Sequence, residues 1–107
     1  MTNFISTGST YWISDEEIHI LEENATNGDK NSAFKLYQYH MFVSLDQDLE
    51  FKWLEIAAEN GHPIAQSNLA DLFFTQNNKE KAIFWAERAH RNGAKLPEVD
   101  SQSNQNG

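Results

Sequence analysis

Cysteine is absent from this 107-residue chain, which removes disulfides, thiolate nucleophiles and thiolate zinc sites from consideration. Basic side chains are scarce: eight Lys and Arg stand against sixteen Asp and Glu, giving a net charge of -8. The deficit is local, because residues 1–59 hold 11 acidic and 3 basic side chains whereas residues 60–107 hold 5 of each. Nucleic acid suits such a surface poorly, since binding it depends on neutralising phosphates. A basic protein suits it better, because complementary fields speed encounter and select partners. An acidic surface also serves solubility alone. Long hydrophobic runs are missing too, and no basic region followed by an apolar stretch opens the chain. The expectation is a cytoplasmic protein, neither secreted nor membrane-spanning. No segment alternates convincingly as a strand.

What the chain does have is a repeated stop signal. Asn27-Gly28, Asn60-Gly61 and Asn92-Gly93 are separated by 33 and 32 residues. An isolated Asn-Gly suggests a hairpin turn. Here Leu21-Glu22 to Gly28 and Leu54-Glu55 to Gly61 share Leu-Glu, Ala and Asn-Gly in register, and Ala86 to Gly93 follows the same plan. A glycine closing a helical pattern can take the left-handed conformation that ends a helix without a Cβ clash. The period is that of one helix pair, so the chain reads as an internal helical repeat.

Five helices follow from the punctuation. Ser14 with Glu17 forms a capping box, and Ile18, Leu21 and Ala25 give one stripe up to Asn27. A second helix runs from about Asp29 to Val43 with Ser32, Leu36, Tyr39 and Val43 as its apolar stripe, Tyr37 and His40 flanking. A third starts after Asp46, which can accept from free backbone amides, and carries Trp53, Leu54, Ala57 and Ala58. Pro63 suits the first turn of the fourth, which shows Ala65, Leu69, Leu72 and Phe73. The fifth starts at Asn77 or Asn78, carries Ala82, Trp85, Ala86 and Ala89, and ends at Gly93. Residues 1–13 read as an irregular but packed segment, 14–96 as the helical domain, and 97–107 as a disordered polar tail.

Asp46, Trp53, Ala57, Ala58, Gly61, His62, Ala65, Leu69 and Leu72 resemble the Sel-one-like repeat, a relative of the tetratricopeptide repeat. Ala82, Trp85, Ala89 and Gly93 repeat the first part of its pattern, and residues 15–27 look like a leading second helix. The resemblance implies an all-α, short right-handed α-solenoid of antiparallel helix pairs, about two and a half repeats in length. It also implies a packing or capping role for His62. Two departures stand out. Ser44-Leu45-Asp46 and Thr75-Gln76-Asn77 replace glycine-rich loops, and Glu50 takes the place of an alanine. Proteins similar to this family act as adaptors and, in bacteria, sometimes as immunity proteins that neutralise a toxin.

Chemistry is hard to find. His19, His40, His62 and His90 lie on separate helices or helix ends with no i, i+4 pair, and Asp46, Asp48 and Glu50 lack the rest of a calcium loop. The expectation is a non-catalytic, cofactor-free and metal-free module that binds another protein, most simply an immunity protein. A generic adaptor, a structural homodimer and a small histidine-dependent metal protein or enzyme are the alternatives. The partner is expected to be basic, and the protein itself a monomer or weak homodimer. Candidate contact residues come from aligning the two first helices of each pair at an offset of 33: Phe34, Gln38 and Met41 match Ser67, Asp71 and Phe74. Each trio forms one stripe, turned away from Leu36/Tyr39 and Leu69/Leu72. Glu22 and Glu23 add acidic steering. Two readings stand for these stripes: anchors in an open groove, or a surface covered by residues 1–13 through Trp12 or Phe4.

Overall fold

The computed structural model describes residues 8–94. Phe4, the chain stop at Pro97, the residue 96 boundary and the polar tail lie outside the described residues. A single helical turn, α1 (Gly8–Tyr11), precedes five full helices: α2 (Asp15–Thr26), α3 (Lys30–Phe42), α4 (Gln47–Glu59), α5 (Pro63–Thr75) and α6 (Lys79–Arg91). No strand occurs among the described residues. α3 packs most extensively on α4 and α5 on α6, with α2 against α3 and α4 against α5. The molecule is a small helical-repeat solenoid.

Each boundary has a local cause. Ser14, Asp29, Asp46 and Asn78 accept hydrogen bonds from the amides of Glu17, Asn31, Leu49 and Lys81, satisfying donors that the first turn leaves free. His62 caps α5 through Nδ1, which accepts from the Ala65 amide at 3.3 Å. At the other ends, Gly28, Gly61 and Gly93 adopt φ of 105°, 102° and 96°. The following residues, Asp29, His62 and Ala94, then donate back to Asn24, Ala57 and Ala89 carbonyls at 3.0, 3.0 and 2.9 Å. Asn77 does the same work for α5 at φ 65°. Leu45, its counterpart after α3, sits at φ 57°. That conformation costs a non-glycine residue roughly 1–2 kcal/mol.

Small residues set the helix spacing. Ala25, Ala33, Ala57, Ala58, Ala65, Ala82 and Ala89 are buried, with Leu36, Trp53, Leu54, Leu69 and Phe73 filling the layers between them. Side-chain amides couple the repeats. Asn60 at the end of α4 donates through Nδ2 to the Ala25 carbonyl of α2 at 3.2 Å. Asn92, its equivalent one repeat later, donates instead to Gln66 Oε1 at 2.9 Å, and Gln66 Nε2 donates to the Ala58 carbonyl at 2.9 Å. Ala33 occupies the Gln66 position in the first repeat, so Asn60 reaches the previous helix directly; Gln66 fills the same gap in the second.

Three expectations need correction. The buried face of α3 is Ser32, Ala33, Leu36, Tyr37 and His40, while Tyr39 and Val43 are only half-buried. A middle helix is contacted from both sides, and Tyr37 turns toward α5, where its hydroxyl accepts from Asn68 Nδ2 at 3.3 Å. Trp53 is 3% exposed, but Trp85 is half-buried. Trp85 lies on the last described helix, with Phe84 edge-on at 5.1 Å and the Arg88 guanidinium at 5.4 Å. Residues 8–13 are not wholly irregular: α1 packs on α3, Tyr11 stacks on Phe42 at 4.5 Å, and Ile13 is buried.

Candidate functional site

α3 and α5 run in parallel, and two cross-links fix their register. The Phe34 ring stacks on the His62 ring at 4.0 Å, and Tyr37 meets Asn68 through the bond above. Between the two helices, with α4 as floor, lies a cleft of about 310 Å³ lined by Tyr37, Glu50, Leu54, Asn68, Asp71, Leu72 and Thr75. A second cleft of about 370 Å³ shares Glu50, Leu54 and Leu72 and adds Gln47, Phe51 and Gln76. Thr75 and Gln76 place one side of each against the end of α5.

The eight sequence-predicted contact residues divide on this geometry. Phe74 is 64% exposed, and Asp71 is exposed and lines the first cleft. Ser67 and Gln38 are half-buried. Gln38 borders Thr10, Tyr11, Trp12 and Ile13, so the N-terminal segment does lie beside part of this face. Trp12, however, is 61% exposed and lines neither of the two clefts. Phe34 and Met41 are not free anchors: both are half-buried and packed against the core. They turn inward because α3 rotates its Tyr37 side toward α5, carrying the i−3 and i+4 neighbours with it. Glu22 is half-buried on α2, 3.8 Å from His19 Nδ1, and Glu23 is exposed there. Neither lines a cleft.

Three contributors were missed. Glu50 is the departure from alanine noted above, and its carboxylate occupies both clefts. Burial pushes the Tyr37 phenol up, the Asn68 hydrogen bond opposes that, and the Glu50 charge adds to the rise. Phe42 and Leu45 are exposed at the same edge. The signal for Leu45 was an apolar residue in a loop position that favours glycine.

Two histidines make stability depend on pH. Burial lowers the pKa of His40 despite the charges of Asp46 and Glu22, and its Nδ1 lies 2.7 Å from Ser44 Oγ. Burial and then Lys30 lower that of His62, whose Nδ1 must stay unprotonated to cap α5. Both rings are therefore neutral when folded and charge more readily when unfolded. Their contribution is complete above about pH 6.5 and is lost as pH falls through the lower folded values. Glu55 acts oppositely, since burial and then Glu59 raise its pKa, with Lys81 opposing. Its contribution is present at acid pH and fades above about 4.5. Thermal melts should show stability falling from pH 7 to 5.5, with the slope reduced in His40→Phe; an unchanged slope contradicts the assignment.

Comparison with known proteins finds the uncharacterized protein YibG of Escherichia coli (strain K12), 33% identical over 95 residues. The match covers 82% of this chain and 62% of YibG, so the chain spans less than two thirds of that relative. No family model matches the chain, and no solved structure does. No described helix is long and apolar enough to cross a membrane.

Proposed function

We propose that this protein is a non-catalytic protein-binding module of the Sel-one-like kind, and that within this class it acts as an immunity protein for a basic toxin. One observation supports binding above all others. Phe42 and Phe74 are left exposed in the last turns of the parallel helices α3 and α5, and clefts lined by Glu50 and Asp71 lie among α3, α4 and α5. Exposed aromatic side chains together with acidic clefts are the ingredients of an interface anchor with electrostatic selection. The immunity assignment rests on the resemblance and on the acidic charge. The basic partner takes the cleft edge as its contact site, with Glu22 and Glu23 on α2 steering its approach.

Expression of the upstream neighbouring gene product alone should arrest growth, and co-expression of this protein should restore it. Phe74→Ala should weaken the complex by more than about 1 kcal/mol while leaving the melting temperature nearly unchanged. Phe34→Ala should instead lower stability, because that ring packs on His62. Loss of stability in Phe74→Ala contradicts its assignment as an anchor.

A further inference from the structure

Among the described residues five have a positive φ, and four of them are Gly28, Gly61, Gly93 and Asn77, residue types suited to it. Leu45 is the fifth, at φ 57°, and it is the repeat-equivalent of Asn77 at φ 65°. Its side chain is 71% exposed, so burial does not offset the backbone strain. Persistent strain of this kind is characteristic of sites selected for something other than stability. Leu45 follows Phe42 at the end of α3, on the edge where Phe74 ends α5. The two helices are held in register by Tyr37 and Asn68, and each ends in an exposed Phe within its last two residues. Between Phe42 and Phe51 the chain carries Asp46, Asp48 and Glu50 and no Lys or Arg. Glu50 is half-buried in the cleft, and among the described residues it has no ion-pair partner.

We infer that Leu45, with Phe42 and Phe74, forms an anchor edge for a protein segment that presents an apolar side chain next to a Lys or Arg, the cation entering the cleft at Glu50. This rests on the protein-binding reading above and specifies the chemistry of its partner. The apolar group covers Leu45 and the part of Phe42 that Tyr11, stacked on it at 4.5 Å, leaves exposed. The cation supplies the charge that Glu50 lacks, and the flanking Asp46 and Asp48 exclude acidic segments and nucleic acid. A leucine at this strained position is retained because the contact needs its side chain.

The test uses the full chain, labelled with nitrogen-15, and two synthetic 18-residue amphipathic helical peptides of one pattern, Leu with Lys and Leu with Glu. The Leu/Lys peptide should shift the amides of residues 42–50 and 74–76, and the Leu/Glu peptide should not. Leu45→Asn should raise the melting temperature by about 4 °C or more while weakening Leu/Lys binding at least fivefold. Glu50→Gln should weaken it and flatten its salt dependence. Failure of the Leu/Lys peptide to bind overturns the inference, as does a loss of stability in Leu45→Asn. Shifts confined to α2 overturn the anchor edge but leave the protein-binding reading standing, as does growth rescue that survives Leu45→Asn and Glu50→Gln unchanged. Shifts at residues 42–50 that appear on concentration without peptide assign the edge to a second copy and overturn it too.

Discussion

Replacing Trp53 with alanine should cost about 3–5 kcal/mol, the range for deleting a large core aromatic. For a chain of this length the whole stability is of order 5–15 kcal/mol, so the variant should be largely unfolded at physiological temperature. The ring is 3% exposed and belongs to the cluster joining Leu36, Leu54, Ala57 and Leu69. The Lys52 ammonium lies 4.7 Å from the ring centre. Its indole nitrogen is buried without a hydrogen-bond partner, so Trp53→Phe loses packing but removes that unpaired donor. A melt series should therefore rank wild type, Phe and Ala in that order, with the larger step at Ala. Trp85→Ala, at a half-buried position, should cost clearly less.

Gln66→Ala should be the most damaging change at a polar position. The side chain is 0% exposed and joins Asn92 to the Ala58 carbonyl, one link between consecutive repeats. Truncation removes two hydrogen bonds and leaves a void, although the Ala58 carbonyl keeps the Gly61 amide at 3.0 Å. Each lost bond is worth about 0.5–1.5 kcal/mol, with a cavity cost in addition. Gln66→Glu keeps the shape but places a carboxylate against the Ala58 carbonyl, so it should also destabilise. Chemical denaturation of the three proteins checks this: equal midpoints would show that the bridge contributes nothing. A shallower transition for Gln66→Ala would show that it also couples the repeats.

Helix ends were readable because their chemistry is local. Asn-Gly at 27–28, 60–61 and 92–93 needs only a left-handed glycine, and all three adopt it. Ser14 and Asp46 likewise cap the helices expected of them. Burial was harder to read, since it depends on neighbours distant in sequence. Tyr37 is buried and Tyr39 half-buried because α5, more than 20 residues later, packs on the former. The same rotation draws in Phe34 and Met41, which spacing alone had placed beside Phe74 on an open face. Trp53 and Trp85 share a motif, but only Trp53 has helices on both sides among the described residues. Leu45 and Glu50 were visible only as departures from a pattern, and the clefts that Glu50 lines come from the way α4 and α5 meet.

The central claim is that the cleft edge between α3 and α5 binds a basic protein partner. Calorimetric titration of the upstream neighbouring gene product into wild type and Phe74→Ala tests it most directly, with melting temperatures recorded for both. The account predicts a complex with wild type, an affinity at least tenfold lower for Phe74→Ala, and melting temperatures that agree closely. No complex with wild type, or equal affinity for the two proteins, would contradict it.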